Sequence, residues 1–431
     1  MDRRKVLRWS SAAALASMAA PRLGLGQTVN NIDWAARLSA LPQPAADEIV
    51  ITACGDMMLS DPVSNRGVPA VDSLYQIIRN ADIAFGNCET TIADTGTLRG
   101  GFTQTAHPRL LDDFTLGGFN MLSLANNHTM DLGEAGLMDW IQESESRGIT
   151  VAGAGANLEQ ALTPGIREVN GKKVGLLAFF CANDLSWEEF RAMDNRAGCG
   201  LISGSTVAVP GEPFGIALPH AADMRTMTDT IRRARALVDT LMVSFHMNWN
   251  LDLPPGQGRY QRPEVLAGTI VPADLDDPMN KVAKGRQLIA HAAIDAGADM
   301  VFGHGPHILH GIEQYQGKPI FYSLGHIFFQ LLRDGRALPQ MQMNPTMVQF
   351  VERGYFLEEY RWSAIARIIV RGSQVTRVQM LPAYMDVQLN GYPYLPSDAE
   401  AMDVNNALIA MSEPFNTRLR RQDWYTELNL N

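Results

Sequence analysis

Two histidines, His304 and His307, are separated by two residues in the segment GHGPH. The glycines and the proline around them disfavour a helix, so the spacing predicts a tight turn and not a helical face. Two imidazoles on one turn can approach a single centre, and neutral imidazole is the commonest side-chain metal ligand. The segment therefore predicts a metal site at the end of a strand.

Other polar side chains stand where further short apolar runs end. They are Asp56 in GDMML, Asn87 and Glu89 in GNCET, Asn126 to His128 in ANNHTMD, and His246 in SFHMNW. Ligands of α/β sheets bind beyond the carboxyl ends of the strands, where these residues would meet. Together they form an oxygen and nitrogen ligand set for divalent ions, and Glu89 could bridge two ions. A lone carboxylate at a strand end more often caps a turn, so for Asp56 and Glu89 the residues alone leave both the structural and the functional interpretation open.

The elements that must position these residues follow an alternating pattern. From residue 47 onward, short β-branched runs alternate with segments of helical periodicity, which predicts the α/β fold class with helices on the faces of a sheet. The dipeptide Asn170-Gly171 predicts a hairpin turn between two strands. Residues 181–220 are rich in glycine and proline and are predicted to form a long loop or insertion over the sheet edge. The later segment GKPIFYSLGHIFF is predicted to form a pair of strands.

Six motifs resemble, in order, those of one protein family. They are GDMML, GNCET, LANNHTMDLG, SFH, GHGPH and FYSLGHIFF. Their series is similar to that of the CapA family, the poly-gamma-glutamate capsule biosynthesis proteins of the calcineurin-like metallophosphatase superfamily. The resemblance covers residues 49–330. It implies a central β-sandwich flanked by helices, in a domain of residues 47–386 with a C-terminal extension at residues 387–431.

The resemblance also implies the residues of the site. The six implied metal ligands are Asp56, Glu89, Asn127, His246, His304 and His307. His128 takes the place of the superfamily's phosphate-contacting acid, and Asp131 is expected to orient it. The neighbouring Asn126 is expected to be structural. The implied cofactor is one or two divalent metal ions, for which Mn, Fe and Zn are the candidates.

Four positions, in three motifs, depart from the family's pattern. Met58 stands where superfamily phosphoesterases carry the histidine of Asp-x-His, and a thioether binds hard divalent ions poorly, so one metal position is expected to be weakened or lost. Asn248 and Asn250 replace the usual glycine and glutamate after the fourth-motif histidine, and His326 replaces an asparagine. These changes leave the fold assignment intact, but the family's substrate cannot be carried over.

The remaining histidines give weaker signals. His107, His310 and His326 are secondary candidates for the site. His310 and His326 lie beside or within a motif, and the resemblance implies that relatives contact substrate in the region of His107 and Pro108. His220 is predicted to begin a helix and His291 to lie within one, so both are expected to be structural.

Several functions are compatible with this site. The leading hypothesis is a metal-dependent hydrolase of phosphoesters or related substrates, in which hydroxide becomes available near neutral pH and His128 protonates the leaving oxygen. A second is a hydrolase acting on a peptide or polyglutamate, or a metal-free epimerase that uses His128 as its base. A third is a non-catalytic assembly or export factor for a secreted polyanion.

The N-terminus predicts export. Residues 1–27 begin with the adjacent Arg3 and Arg4 and continue into an Ala/Ser/Leu run, which is similar to a twin-arginine signal and predicts a periplasmic or extracytoplasmic protein. A polar linker is predicted at residues 28–46. No other segment has the eighteen or so consecutive apolar residues of a membrane span, so no stable membrane insertion is expected once the signal is cleaved.

The charge distribution excludes one class of partner. The formal net charge is −10, and removal of residues 1–27 takes away five Lys/Arg and one Asp, which gives about −14. No basic cluster stands outside the N-terminus, so a nucleic-acid partner is not expected. The four cysteines have no CxxC spacing and are predicted to be free thiols.

Overall fold

The computed structural model describes most of the chain. The described residues are 32–63, 69–183, 185–207, 216–247, 282–330, 332–333, 336–337, 358–386 and 391–430. Contacts divide the chain into two units, Met1–Asp33 and Trp34–Asn431, and all of the described helices and strands belong to the second. The predicted signal segment, together with Asn248 and Asn250, lies outside the described residues. None of the described helices has the length and apolar character needed to cross a membrane.

The described residues contain eight α-helices and three short 3₁₀ helices. The α-helices are α1 (Trp34–Ser39), α2 (Pro69–Arg79), α3 (Arg109–Gly117), α4 (Gly133–Ser146), α5 (Leu158–Ala161), α6 (Ala221–Arg235), α7 (Lys284–Ala296) and α8 (Asp398–Ser412). The 3₁₀ helices are Leu185–Phe190, Glu358–Arg361 and Glu413–Phe415.

The same residues contain 24 strands. In the first half of the chain they are β1 (Ile49–Met58), β2 (Ile83–Cys88), β3 (Thr91–Ile92), β4 (Thr105–Ala106), β5 (Met121–Ser123), β6 (Thr150–Ala152), β7 (Ala154–Gly155), β8 (Gly165–Val169), β9 (Lys172–Ala182), β10 (Gly198–Cys199), β11 (Leu201–Val207) and β12 (Ile216–Pro219). In the second half they are β13 (Thr240–Met247), β14 (Met300–His304), β15 (Ile312–Tyr315), β16 (Lys318–Phe321), β17 (His326–Phe329), β18 (Leu332–Arg333), β19 (Arg336–Ala337), β20 (Trp362–Arg371), β21 (Gln374–Asp386), β22 (Tyr392–Tyr394), β23 (Leu419–Arg421) and β24 (Thr426–Leu428).

Two large sheets form a β-sandwich. The first has ten strands in the order β23-β24-β21-β20-β1-β2-β5-β6, with β17 also pairing with β1 and β22 with β21. The second has eight strands in the order β12-β11-β9-β13-β14-β16-β15, with β8 also pairing with β9. The inner faces meet where the rings of Phe85 on β2 and Phe302 on β14 pack with centroids 5.2 Å apart. The expected α/β sandwich flanked by helices is therefore confirmed.

The second sheet uses its two faces differently. Successive side chains of a strand point to opposite faces, so alternate residues share a face. Phe245 and Val301 point outward and pack with Ile231 of α6 and Ile294 of α7 in one buried apolar cluster. The alternate positions of β13 and β14 therefore point inward, toward the first sheet.

A close backbone approach joins β1 to β17. A side chain on Gly55 would place its Cβ 2.1 Å from the carbonyl oxygen of Gly325. The backbone N–H of Asp56 donates to that same oxygen at 3.0 Å. Only glycine fits at position 55, and this contact fixes the strand position of Asp56.

Two sequence-based expectations were wrong. The predicted loop at residues 181–220 contains β11, which extends the second sheet in parallel to β9, and β12, which pairs with β11. The segment GKPIFYSLGHIFF was expected to form a strand pair, but β16 lies in the second sheet and β17 in the first. Local pattern identifies a strand without identifying its partner, since pairing depends on distant segments.

Segments at both ends of the unit Trp34–Asn431 pack against the rest of that unit. Within the predicted linker, Trp34 of α1 packs edge-on against Trp424 with ring centroids 5.1 Å apart, and Arg37 pairs with Asp398 at 2.6 Å. Within the predicted C-terminal extension, β22 and β24 pair with β21 of the first sheet. The hairpin turn is as predicted, with Asn170 and Gly171 both at positive φ.

The variant Gly55→Ala tests the approach of β1 to β17. It should lower the free energy of unfolding by about 3 kcal/mol or more, because the new methyl group overlaps a backbone oxygen that cannot move without displacing β17. Denaturant unfolding measures this change. The control Gly100→Ala, where no atom lies within 4 Å of the added Cβ, should change it by less than about 0.5 kcal/mol. Similar values for the two variants would contradict the strand arrangement.

Candidate metal centre

Strand register brings the site residues together from both sheets. In the second sheet, His246 of β13 is the direct neighbour of His304 of β14, and both are on the inner face. In the first sheet, Asp56 of β1 is the direct neighbour of Asn87 of β2. The amide of Asn87 connects the sheets, since its Nδ2 lies 2.9 Å from Asp56 Oδ1 and 3.0 Å from His246 Nδ1.

His307, the second histidine of GHGPH, lies on a strained turn. Gly305 has φ 103° and His307 has φ 56°, in the left-handed region that a residue with a side chain rarely adopts. Such strain is kept where the surrounding structure holds it, most often at functional sites. The predicted tight turn is therefore present, and it returns His307 toward Asp56.

Asp56 is fully buried, and its two carboxylate oxygens lie near different histidines. Its Oδ1 lies 3.6 Å from His304 Nδ1 and 3.8 Å from His246 Nδ1. Its Oδ2 lies 3.0 Å from His307 Nδ1 and accepts the backbone N–H of Gly305 at 3.1 Å. One carboxylate thus lies between two sets of imidazoles.

Glu89 lies between the same two sets. Its Oε1 is 3.7 Å from His246 Nε2 and 3.6 Å from His307 Nε2. The side chains of Asp56, Glu89 and His307 each offer a ligand atom within 4.8 Å of the others. Both carboxylates can therefore reach an ion on either side, which is the geometry of a bridging ligand.

Several buried atoms of the predicted metal ligands have no hydrogen-bond partner among the described residues. They are Glu89 Oε2, Asn127 Oδ1, His246 Nε2, and both His304 ring nitrogens. Buried polar atoms are normally satisfied, because leaving one unpaired costs free energy. Oxygen and imidazole nitrogen atoms are the donors that divalent first-row ions bind, so the donor set fits a metal centre.

Burial sets the protonation states of the cluster. It lowers the pKa of His246 to about 3 and that of His304 to about 4, so both imidazoles are neutral at pH 7. Burial raises the pKa of Glu89 well above its usual value, and nearby carboxylates add to this effect. Burial also acts to raise the pKa of Asp56, but the hydrogen bond with His307 and the electrostatic interaction with the surrounding histidines outweigh it, so that pKa is lower than usual. A bound cation would favour the ionised form of Glu89.

A histidine and a carboxylate form a dyad beside the cluster. His128 Nδ1 lies 2.6 Å from Asp131 Oδ2, and both side chains are buried. The backbone N–H of Gln104 donates to the same carboxylate oxygen at 2.6 Å, and Arg99 donates to the other at 3.3 Å. Nδ1 therefore carries the proton that Asp131 accepts, and Nε2 is free for proton transfer.

The backbone of this histidine is also held. Asn126 Oδ1 accepts the N–H of His128 at 2.9 Å, and the Thr91 hydroxyl donates to its carbonyl group. Asn126 Nδ2 donates to the Cys88 carbonyl at 2.8 Å, so its side chain has the structural role expected of it. The ring of Phe102 packs edge-on against the His128 ring at 5.5 Å.

The secondary candidates for the site have different surroundings. His107 is exposed and pairs with Asp94 at 3.3 Å, so its ion-pair partner is not a residue of the cluster. His310 is buried. His326 is fully buried on β17 as the direct neighbour of Asp56. Of the three, His326 is therefore the one that strand register places beside the centre.

The residues expected to be structural agree with the sequence-based interpretation. His220 is the N-cap residue of α6, and His291 lies within α7. The four cysteines are free and buried, so the expectation of free thiols is met.

Sequence reasoning missed the supporting residues. The sequence indicates Asn87 only as a polar strand end, although its position two residues before Glu89 signals a shared face of the sheet. Gln104 and Arg99, which hold Asp131, gave no sequence signal, because their contacts span 27 and 32 residues of chain.

A two-sheet sandwich with a buried carboxylate and imidazole cluster that could hold a metal ion is consistent with an α/β metallophosphatase-like fold. The family described as bacterial capsule synthesis protein PGA_cap matches residues 50–266 and 277–331, more than half of the chain. The chain belongs to this family, which confirms the resemblance to CapA proteins.

Relatives cover much of the chain. The uncharacterized protein y4sH of Sinorhizobium fredii (strain NBRC 101917 / NGR234) is 27% identical over 439 residues, covering 88% of this chain and 92% of that protein. The PGA biosynthesis protein CapA of Bacillus subtilis (strain 168) is 27% identical over 310 residues, covering 69% and 68%. A hypothetical protein from Thermus thermophilus covers 78% of this chain and 99% of its own at 12% identity, with a TM-score of 0.41 that supports no conclusion.

Metal-dependent stabilisation tests the centre. Mn²⁺ or Zn²⁺ at about 100 times its Kd should raise the free energy of unfolding by ~2.7 kcal/mol, because an ion that binds only the folded state shifts the equilibrium by mass action. The measurement is denaturant unfolding with and without the ion. The increase should vanish in the double variant His304→Ala/His307→Ala.

A matched control removes two imidazoles elsewhere. The double variant His220→Ala/His291→Ala should keep the full metal-induced increase, since neither residue lies in the cluster. If the metal stabilises the His304/His307 variant as much as the wild type, the assignment of the centre is wrong.

Proposed function

We propose that this protein is an exported, metal-dependent hydrolase of the capsule synthesis family, acting on a phosphoester or a related substrate. One observation carries the proposal: buried ligand atoms of Glu89, His246 and His304 have no hydrogen-bond partner among the described residues, and Asp131 of the His128 dyad lies close enough to Glu89 to raise its pKa. A purely structural cluster would have no reason to leave these buried atoms without partners.

Six side chains would hold the ions. They are Asp56, Glu89, Asn127, His246, His304 and His307. Bound divalent ions supply Lewis-acid charge that polarises a substrate oxygen and lowers the pKa of water. Asp56 and Glu89 would keep two positions close together, because each carboxylate approaches imidazoles on both sides.

His128 would handle the proton of the leaving group. Asp131 accepts the Nδ1 proton and so holds the ring in one tautomer and one orientation. In its protonated form, Nε2 would donate to the leaving oxygen as the bond to phosphorus or carbon breaks.

The names of relatives favour a second substrate class. The Bacillus subtilis relative is named a PGA biosynthesis protein, and relatives from Mycobacterium tuberculosis are named probable polyglutamine synthesis accessory proteins. A peptide or polyglutamate amide is therefore the alternative substrate for the same centre. Incubation with such peptides in deuterated water separates hydrolysis from epimerisation, because only epimerisation incorporates deuterium at an α-carbon.

Asp131→Asn tests the proton-transfer role. It should lower kcat by roughly 10²–10⁴-fold on whichever phosphoester or peptide the wild type cleaves, because the amide no longer stabilises the required tautomer and charge of His128. Bound metal, measured by elemental analysis, should be retained.

The control for this variant is Asp139→Asn. Its carboxylate accepts the backbone N–H groups of Asp94 and Thr95, neither of which belongs to the dyad. It should keep kcat within about threefold of the wild type. Equal losses in the two variants would show that Asp131 acts only through stability.

Export can be tested on the precursor. Replacing the pair by Arg3→Lys and Arg4→Lys should leave the protein in the cytoplasm, because a twin-arginine signal is read through that pair. Cell fractionation with an antibody to the folded domain measures the distribution. The single variant Arg8→Lys, which keeps the pair, should be exported normally, and export of the double variant would refute this route.

A further inference from the structure

His326 is a buried imidazole that the ligand set above leaves out. It lies on β17, fully buried, and pairs with Asp56 of β1 as its direct neighbour in a parallel register. Side chains opposite each other on adjacent parallel strands lie on the same face of the sheet. His326 therefore lies beside Asp56 across the strand pair, and the register of the two strands shifts directly after this pair.

The protonation of this ring is set by one contact. Its Nε2 lies 2.7 Å from the carbonyl oxygen of Tyr360. A carbonyl oxygen only accepts hydrogen bonds, so Nε2 carries the proton and Nδ1 presents a bare lone pair. That Nδ1 is buried and has no hydrogen-bond partner among the described residues. A lone pair of this kind on a neutral imidazole is suited to bind a metal ion.

The position of the ring is fixed beside the centre. It stacks on Phe329 at 4.5 Å, with an interplanar angle of 20°, and its centroid lies 6.1 Å from that of His307. A metal–nitrogen bond of about 2.1 Å places a ring centroid about 3.2 Å from the metal, so two rings on one ion have centroids at most about 6.4 Å apart. The separation of His307 and His326 is within that limit.

We propose that His326 Nδ1 is a further metal ligand, which binds the ion held by His307 and Asp56. This inference rests on the metal centre of the proposed function. It changes the expectation raised by Met58, where a thioether stands in place of an imidazole two residues after Asp56. The imidazole missing from β1 is supplied by the adjacent strand β17, so the second ion position is retained.

The observations divide the ligands into two groups. His246 and His304 approach Asp56 Oδ1 from the second sheet, whereas His307 approaches Oδ2. His326 shares its immediate surroundings with His307, since the ring of Phe329 packs on both, at 4.5 Å and 5.3 Å. The loss of His326 should therefore weaken one of two ions and leave the other in place.

The experiment compares metal binding in the full mature chain. The variants are His326→Phe, which keeps the stacked ring, and His326→Gln, whose amide N–H can still donate to the Tyr360 carbonyl. The control is His291→Gln, which removes an imidazole that stacks on Tyr315 and lies outside the centre. Elemental analysis gives the number of bound Mn²⁺ or Zn²⁺ ions, and calorimetric titration gives each Kd.

The wild type and the control should bind two ions per chain. Each His326 variant should bind its weaker ion at least tenfold less tightly than the wild type, because even indirect partners of a ligand change metal affinity by about 10–100-fold. The Kd of the tighter ion should stay within about threefold of the wild-type value. Two ions of unchanged affinity in both variants would overturn the role of His326. One ion in the wild type and in both variants would overturn it as well.

A separate result would refute the proposed function itself. If the folded wild type binds no ion, the metal centre is absent and the proposed function is refuted. If the wild type binds two ions and the His326 variants bind them with unchanged affinity, only the present inference is refuted. Should both variants fail to fold, proton–nitrogen spectra of the wild-type histidine rings replace them. Added Zn²⁺ should then shift the His326 Nδ1 resonance, and an unshifted resonance would overturn the proposal.

Discussion

Two carboxylates, Asp56 and Glu89, are buried between the sheets, where imidazoles, one amide and one backbone N–H surround them. Removing an ionised carboxylate from water costs several kcal/mol unless charge and hydrogen bonds compensate. Divalent ions shared by the two groups would provide that compensation. The need to compensate the desolvation of these buried carboxylates connects three features of the centre. They are the neutral histidines, the unpaired ligand atoms and the raised pKa of Glu89.

The sandwich satisfies the requirement by combining distant segments. β1 and β2 provide the carboxylates, while β13 and β14 provide two imidazoles from the opposite sheet. The approach of Gly55 to Gly325 places β17, and with it His326, beside Asp56. The outer face of the second sheet packs against α6 and α7 in one buried apolar cluster. The arrangement of the cluster is therefore supported by residues outside it.

Sequence reasoning predicted what local pattern encodes. The run ending in GDMML, the turn at Asn170 and Gly171, and the turn of GHGPH each follow from residue type and spacing, and each is present. The sheet to which β17 belongs and the strand β11 did not follow, because pairing is decided by contacts with distant parts of the chain. For the same reason, the motif residues were identified while their supports, such as Gln104 and Tyr360, were not.

The family motifs implied some contacts of the site, whereas others are visible only in the structure. Order and spacing of motifs implied Asp131 as the partner of His128, and the two are in contact at 2.6 Å. Met58 and His326 are far apart in the sequence but lie on adjacent strands of one sheet, β1 and β17. The relation between these two departures is therefore visible in the structure and not in the sequence. A substitution that removes a ligand on one strand can be offset on the next, and no single motif reveals such an exchange.

The most direct measurement is anomalous diffraction from crystals of the mature protein grown with Mn²⁺ near pH 7 and without chelator. The account predicts an anomalous peak within bonding distance, about 2.0–2.3 Å, of the Asp56 or Glu89 oxygens and of an imidazole from His304 or His307. Ordered water among these side chains, with no anomalous peak at saturating Mn²⁺, would contradict it.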